Sequence, residues 1–333
     1  MTATYPTGNA TRGGSSLSNG RAFPDPVPPR REAIARLGRH LRSVILLGGS
    51  PRTTRLVRGT GRAVVDLPLS SRTSFLGQWV EQAGMLAEHL GRESLPVRML
   101  LGEKMPWPET LPTHPRVQLE VEGDSGAYRG TAGLLRDKTD RYDSSDVVLV
   151  ANAGQLLLYP LTQLAQMLAE SGGDATILAH QDGQPAGMML FRVSALRDVP
   201  RIGYQDFKEQ ALPKIAEQYE VKVVNHDRHT AVPVRTRSDY IRAVRVHHRR
   251  MRGLQRPAPF EEDWRSTFAI VESGSHVSAS ARVHDSVVLR GAKIEAGAVL
   301  VRSLACPDAR VATRTRATDA LAVGRWRKDW EHP

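Results

Sequence analysis

The sequence contains a single cysteine, Cys306, and no long apolar run. One thiol excludes an internal disulfide and any cysteine-rich metal site. No apolar segment approaches the roughly 20 residues that a transmembrane helix needs, and the N-terminal residues lack the apolar core of a signal peptide. These absences predict a cytoplasmic protein without a membrane partner.

Acidic and aromatic residues are also few. Lys and Arg number 46 against 35 Asp and Glu, which gives a formal net charge of +11. This excess suits anionic partners such as nucleotides, sugar phosphates or nucleic acids, although a general bias towards arginine would produce it as well. Aromatic residues make up only 5% of the 333 residues.

Part of the positive charge is local. Residues 242–256 contain six arginines and no acid. No aromatic residue lies between these arginines, so the segment lacks the stacking platforms of single-strand binding proteins. We therefore expect a basic helix face or a subunit contact here, rather than a nucleic acid partner.

Composition divides the chain into five segments. Residues 1–30 are rich in Gly, Ser, Thr, Asn and Pro, which predicts a disordered tail. Strand-like and helix-like segments alternate over 31–252 and predict a layered α/β domain with a mainly parallel sheet. The segment 253–268 is typical of a linker, and residues 324–333 form a second predicted tail. The remaining segment, 269–323, has a different period.

Aliphatic residues recur every five or six positions in this last segment, with small residues between them. This spacing is neither that of a helix nor that of a simple strand, and it fits a hexapeptide β-helix of two imperfect coils; a few plain strands are the alternative. A short β-helix leaves open edges, so we expect a homo-oligomer. The recurring residues are Val277, Val283, Val288, Ile294, Leu300 and Val311.

Four segments, taken in order, resemble the sugar-nucleotide pyrophosphorylase family. They are "RGTAGLLRD" at 129–137, "VVLVANAGQLLLYPLTQL" at 147–164, "AGMMLFRVSAL" at 186–196 and "TRSDYIRAV" at 236–244. The resemblance implies a Rossmann-like nucleotidyltransferase domain followed by a short left-handed parallel β-helix. It also implies a reaction that joins a sugar 1-phosphate to an NTP and releases pyrophosphate.

The resemblance further implies which residues bind the nucleotide. Gly48 and Gly49 in "VILLGGSPRTTRL" are similar to the start of the family's glycine-rich phosphate loop, but the third glycine is missing. Either Arg52 takes the family's arginine position or, if two extra residues are accepted, Arg55 does. An ordinary strand-to-helix turn that keeps its glycines for packing is the alternative.

Two further groups complete the implied nucleotide site. Gly130, Thr131, Ala132 and Gly133 are similar to the segment that lies along the base and ribose. Arg62 stands in place of a phosphate-contacting lysine, where a planar guanidinium keeps the charge but changes the geometry. The resemblance therefore makes Arg55 and Arg62 candidate phosphate contacts. Together with Arg58 and Arg72 they would form an anion-attracting mouth, or else a solvated basic loop.

The metal site implied by the family is altered. Gln155 and Pro233 occupy the positions of the two aspartates that would bind Mg²⁺, and neither provides a carboxylate. Asp227 and Asp239 remain as candidate substitutes. We therefore assign no catalytic residue and no metal ligand.

Three functions stay open after this comparison. The first is a catalytically degenerate protein that binds a nucleotide or NDP-sugar in a regulatory or assembly role. The second is an active NTP:sugar-1-phosphate nucleotidyltransferase with relocated ligands for Mg²⁺. The third is a structural scaffold.

Overall fold

The computed structural model describes residues 30–49, 53–123, 129–253 and 268–326. The tail predicted for residues 1–30 lies outside this part of the chain except for Arg30, which begins the first helix. Most of the predicted linker and the last seven residues also lie outside it. Among the described residues, no helix is both long and apolar enough to cross a bilayer.

The first part of the described chain is a mixed α/β structure. Its elements, in chain order, are α1 (Arg30–His40), β1 (Leu41–Leu47), α2 (Arg55–Thr60), a 3-10 turn (Val64–Asp66), α3 (Phe75–His89), β2 (Leu95–Leu101), β3 (Val117–Gly123), α4 (Gly130–Lys138), β4 (Val147–Asn152), β5 (Gln155–Leu157), α5 (Leu161–Ser171), β6 (Ala175–His180), β7 (Pro185–Arg192), α6 (Val193–Arg197), a π-helical turn (Phe207–Ala211), α7 (Leu212–Gln218), β8 (Val221–His226), β9 (Ala231–Pro233) and α8 (Arg237–Met251).

A seven-stranded sheet lies at the centre, with the strand order β3-β2-β1-β4-β7-β6-β8. β7 runs antiparallel to both of its neighbours, and the other strands pair in parallel. The central strands β1 and β4 are buried on both faces, which explains why their sequences are continuous apolar runs. Because β1, β2, β3 and β4 point the same way, the loops that follow them meet at one edge of the sheet.

Helices cover both faces of the sheet. α3 and α5 pack on one face, where Trp79 is fully buried and its Nε1 donates to the carbonyl of Ala153 at 3.0 Å. α4 and α6 pack on the other face, around Leu135 and Phe191. Ser74 begins α3 by accepting a hydrogen bond from the amide of Gly77.

The C-terminal part consists of short strands in three parallel ladders, here called the strand stack. The strands are β10 (Ala269–Val271), β11 (His276–Val277), β12 (Arg282–His284), β13 (Ser286–Val288), β14 (Lys293–Ile294), β15 (Val299–Val301), β16 (Leu304–Ala305), β17 (Arg310–Val311), β18 (Arg316–Thr318), β19 (Leu321–Ala322) and β20 (Arg325–Trp326). The ladders are β10-β13-β16-β19, β11-β14-β17-β20 and β12-β15-β18.

The strand stack repeats every 17 residues, as the bond from Ser303 to Ser286 illustrates. Corner residues at this spacing adopt a left-handed conformation, with φ of 46° at Asp285, 47° at Arg302 and 50° at Asp319. Two ladders contain four strands each, so the stack has more repeats than the two that the sequence predicted. Alanines such as Ala305 and Ala322 fill inward positions in the later turns, and a count of larger aliphatic residues misses them.

The strand stack packs directly against the α/β part. Val287 and Leu304 belong to the same apolar core as the sheet. Gly59 of α2 allows a close approach, because a Cβ there would lie 3.0 Å from Leu321 and 3.6 Å from the Sγ of Cys306.

The arginine-rich helix α8 contacts both parts of the chain. Arg245 pairs with Asp285 of the strand stack at 2.9 Å, and Arg237 donates to the carbonyl of Arg302 at 2.6 Å. At the other end, Arg250 donates to the carbonyl of Leu157 at 3.0 Å. These arginines hold elements of one chain together.

Candidate functional site

A cleft of about 220 Å³ opens at the edge where the parallel strands end. The turn after β1, the loop after β2, the turn after β4 and the end of β9 all contribute to it. Ligands of open α/β sheets bind at this edge, because loops there can vary while the strands hold them in place. The described lining residues are Gly48, Gly49, Thr54, Val57, Val64, Met105, Asn152, Gly154, Pro233, Val234 and Arg235.

Gly48 and Gly49 lie in the wall of the cleft, and both approach neighbouring residues closely. A Cβ on Gly48 would lie 2.6 Å from the Sδ of Met99. A Cβ on Gly49 would lie 2.9 Å from the amide nitrogen of Gly102 and from Cγ of Met105. Because these two residues have no side chain, their backbone lies at the cleft surface. Close packing and access for a ligand therefore both favour glycine here.

The turn after these glycines is described only in part, and Arg52 lies outside the described residues. Thr54 begins α2, and its hydroxyl accepts a hydrogen bond from the amide of Val57 at 3.2 Å. Arg55 and Arg58 are exposed on this short helix, and neither side chain lines the cleft. Arg72 is also exposed.

Arg62 occupies a different environment from the one expected for a phosphate contact. Its side chain is only 8% exposed and lies 2.9 Å from a carboxylate oxygen of Glu272, 3.4 Å from Glu109 and 3.9 Å from Asp66. The guanidinium therefore neutralises the protein's own carboxylates and joins the α/β part to the strand stack. Its pKa is raised by these acids, although burial opposes the rise.

The segment Gly130–Gly133 forms the first turn of α4 and does not line the cleft. Gly130 has a φ of +68°, and a Cβ there would lie 2.4 Å from the carbonyl oxygen of Gln205. This carbonyl accepts a hydrogen bond from the amide of Ala132 at 3.2 Å. The chain's own backbone thus covers the start of α4, where the resemblance implies a base and a ribose at Thr131 and its neighbours.

Gln155 and Pro233 are brought together as direct register partners of the antiparallel pair β5 and β9. Pro233 is exposed and lines the cleft. Gln155 is 4% exposed and packs against Gly187, and its Nε2 has no hydrogen-bond partner among the described residues. The fold places these two positions side by side, as two ligands of one ion would be, but a buried amide and a proline do not fit Mg²⁺.

The two candidate substitutes for metal ligands have other surroundings. Asp239 closes a capping box at the start of α8, where its carboxylate accepts from the amides of Arg235 and Thr236 at 3.2 and 3.0 Å. Asp227 is exposed in the turn after β8. Among the described residues, no group of three or more His, Cys, Asp or Glu side chains is placed to hold a metal ion.

Sequence reasoning missed the polar residues that do line the cleft. Asn152 ends β4 and its Oδ1 accepts from the amide of Gly154 at 3.0 Å, while Arg235 follows β9. Arg235 is the one charged side chain in the described lining. Asn152 could have been found from the sequence, because it stands at the end of an apolar strand. Arg235 could not, because it reaches the cleft on a loop from a distant part of the chain.

The comparisons with known proteins give little more. No family model matches the chain, and no curated protein sequence matches it. Solved structures that are similar to this chain share little sequence identity with it. HddC from Yersinia pseudotuberculosis is 16% identical over 61% of this chain and 98% of that one, with a TM-score of 0.46. A second HddC structure, in complex with GMP-PN, has the same identity and coverage with a TM-score of 0.43.

The third structure is a homologue of Mycobacterium tuberculosis Rv0371c from Mycobacterium sp. strain JC1. It is 14% identical over 62% of this chain and 96% of that one, with a TM-score of 0.41. TM-scores below 0.5 at such identities establish neither a shared fold nor a shared activity.

Proposed function

We propose that this protein binds a nucleotide or a nucleotide sugar in the cleft without a divalent cation, and that it is a catalytically degenerate relative of the sugar-nucleotide pyrophosphorylases with a regulatory or assembly role. The observation that carries the proposal is the pairing of Gln155 with Pro233 beside the cleft. Transfer of a nucleotidyl group depends on neutralising the charge that builds on the phosphates. Neither of these residues offers the carboxylate that would hold the metal.

The lining of the cleft supports an anionic, polar ligand. Arg235 supplies a positive charge, Thr54 and Asn152 supply polar side chains, and the described lining contains no acid. Glycine backbone at Gly48 and Gly49 permits close approach. An anion in this cleft would meet one cation and no repelling carboxylate from the described residues, which favours a phosphate-bearing ligand over a metal ion.

The proposal extends to the remaining parts of the chain. We take the strand stack to be a left-handed parallel β-helix of hexapeptide type, with the α/β domain over 31–252 and the β-helix over 269–323. The first ladder ends on β10 and β19, and a second copy could cover such an end, so the assembly role would involve a homo-oligomer. The compartment we propose is the cytoplasm.

A screen of thermal stability combined with an assay of pyrophosphate release tests this function. NTPs and NDP-sugars are added at saturating concentration, each with Mg²⁺ and with a chelator. We expect one ligand class to raise the melting temperature equally in both conditions, because a ligand that binds only the folded state stabilises it. Pyrophosphate release should stay at background with every sugar 1-phosphate. Release that depends on Mg²⁺ would contradict the proposal.

A further inference from the structure

Trp107 is a large aromatic side chain that the fold leaves uncovered. It is 59% exposed, whereas Trp79 is buried and hydrogen-bonded. Exposing an indole forfeits the free energy that its burial would contribute. Tyr204, which is 53% exposed, is another uncovered ring. Trp107 lies in the loop after β2, two residues beyond Met105, which lines the cleft.

The loop holds Trp107 in a restricted position. Pro106 and Pro108 flank it, and proline fixes its own φ and restricts the residue before it. On one side Met105 is buried against Gly49. On the other side Glu109 pairs with Arg62 at 3.4 Å. The ring is therefore presented on a short segment anchored at both ends.

The indole itself lies at the end of the edge strand β3, outside the described lining of the cleft. A Cβ on Gly123, the last residue of β3, would lie 3.6 Å from Cζ2 of Trp107, so the ring packs against the end of that strand. Two residues of chain span at most about 7 Å between Cα atoms, which keeps Trp107 next to Met105. In the strand order, β3 and β2 lie on one side of β1, whereas β4 lies on the other, and Arg235 lies on the side of β4.

Trp107 thus lies two residues from the cleft lining on the side of β2, and Arg235 lines the cleft on the side of β4. We propose that Trp107 is the stacking platform for the nucleobase, and that Arg235 faces the phosphate groups at the other end of the ligand. This inference rests on the proposed function, because it names the part of the same ligand that contacts Trp107. Every base has a π-face that stacks on an aromatic ring, and a nucleotide carries its negative charge at the other end of the molecule.

Binding of ATP, GTP and UTP to Trp107→Ala and Trp107→Phe tests the inference. Calorimetry should show affinity lowered on the order of 10-fold to 100-fold in W107A, the usual effect of removing a stacking partner. W107F should retain most of the affinity. The nucleotide should quench tryptophan fluorescence in the unaltered protein. W107F keeps the other four tryptophans, so it still fluoresces, but it lacks the ring on which the base would stack and should show no quenching.

Leu111→Ala is the matched control, since Leu111 is an exposed apolar residue of the same loop. It should bind nucleotides as the unaltered protein does, and all three variants should keep the melting temperature. Equal affinity in W107A and the unaltered protein would overturn the inference and leave the proposed function standing. Equal loss in L111A would also overturn it, because the effect would then belong to the loop. If the unaltered protein binds no nucleotide, both proposals fail.

Discussion

At the scale of single residues, the chemistry of the cleft is set by what stands at the carboxyl edge of the sheet. Gln155 and Pro233 are neighbours across two strands, yet neither carries a negative charge. Arg235 carries a positive one. Under the proposed function, we expect a site with this balance to bind phosphate groups directly, without a cation to bridge the protein to them.

Replacement of Arg235 by alanine tests this balance. Removing a charged hydrogen-bond donor from an exposed position should weaken nucleotide binding on the order of 10-fold, and the loss should shrink in high salt because exposed charges are screened. Calorimetry at low and high salt measures both effects. Arg228→Ala is the matched control, since Arg228 is exposed in the turn after β8 and does not line the cleft. An equal loss of affinity in R228A would mean that nucleotide binding responds to the net charge of the protein and not to the position of Arg235.

Restoring carboxylates at the two altered positions has different expected costs. Gln155→Asp places a carboxylate where the side chain is 4% exposed, so we expect a loss of about 1–3 kcal/mol in the free energy of unfolding. Pro233→Asp changes an exposed residue and should alter stability by about 0.5 kcal/mol or less. Urea unfolding measures both values. A stable Q155D variant would show that the position still accommodates a metal-binding acid.

At the scale of elements, a few charged side chains fasten the strand stack to the α/β part. Arg62 is 8% exposed and lies among Asp66, Glu109 and Glu272. A second arginine, Arg290, pairs with Glu109 from the outside at 3.2 Å. Removing the buried cation would leave the largely buried carboxylates of Asp66 and Glu272 without their positive partner.

Arg62→Met should therefore be strongly destabilising. We expect a loss of about 3–5 kcal/mol, the usual cost of deleting one partner of a buried ion pair. Arg290→Met, at a side chain that is 59% exposed, should cost at most about 1 kcal/mol. Chemical denaturation of the two variants compares them. Similar values would show that Arg62 is not the residue that joins the two parts, and would return it to the group of candidate phosphate contacts.

The elements also show what the sequence can and cannot predict. The strands β1 and β4 and the helix α3 were predictable, because long apolar runs and helical spacing reflect burial directly. α2 was not, since six residues carry too little periodicity. The helix α7 is preceded by a π-helical turn at Phe207–Ala211, which backbone hydrogen bonding decides rather than apolar spacing.

The candidate site follows the same division. Gly48 and Gly49 were found because they directly follow a recognisable strand. Trp107 and Arg235 were not among the predicted site residues, because a single sequence does not show where their loops lie in the fold. Arg62 was predicted as a phosphate contact, and the sequence did not reveal its acidic partner Glu272, which is 210 residues away in the chain.

At the scale of the whole molecule, the buried charge cluster around Arg62 makes stability depend on pH. Burial raises the pKa of Asp66 to about 6, although the nearby Arg62 opposes the rise. The folded state then binds a proton on Asp66 more tightly than the unfolded state does. The stabilisation from this proton is complete below the ordinary pKa of an aspartate and is lost as the pH rises through about 6.

Asp66→Asn should remove this dependence. At about pH 4.5 the variant should be close in stability to the unaltered protein, and at about pH 7.5 it should be more stable by on the order of 1–3 kcal/mol, because the amide carries no charge to bury. Urea unfolding across this range measures the difference. A variant that is less stable at neutral pH would show that attraction to Arg62 outweighs the cost of burying the carboxylate.

The proposed function requires the cleft to hold a nucleotide without a divalent cation. The most direct measurement is calorimetric titration of the unaltered protein with NTPs and NDP-sugars, once with Mg²⁺ and once with a chelator. The account predicts saturable binding of one of these ligands, with the same dissociation constant in both conditions. Binding that appears only with Mg²⁺, or no binding of any nucleotide, would contradict it.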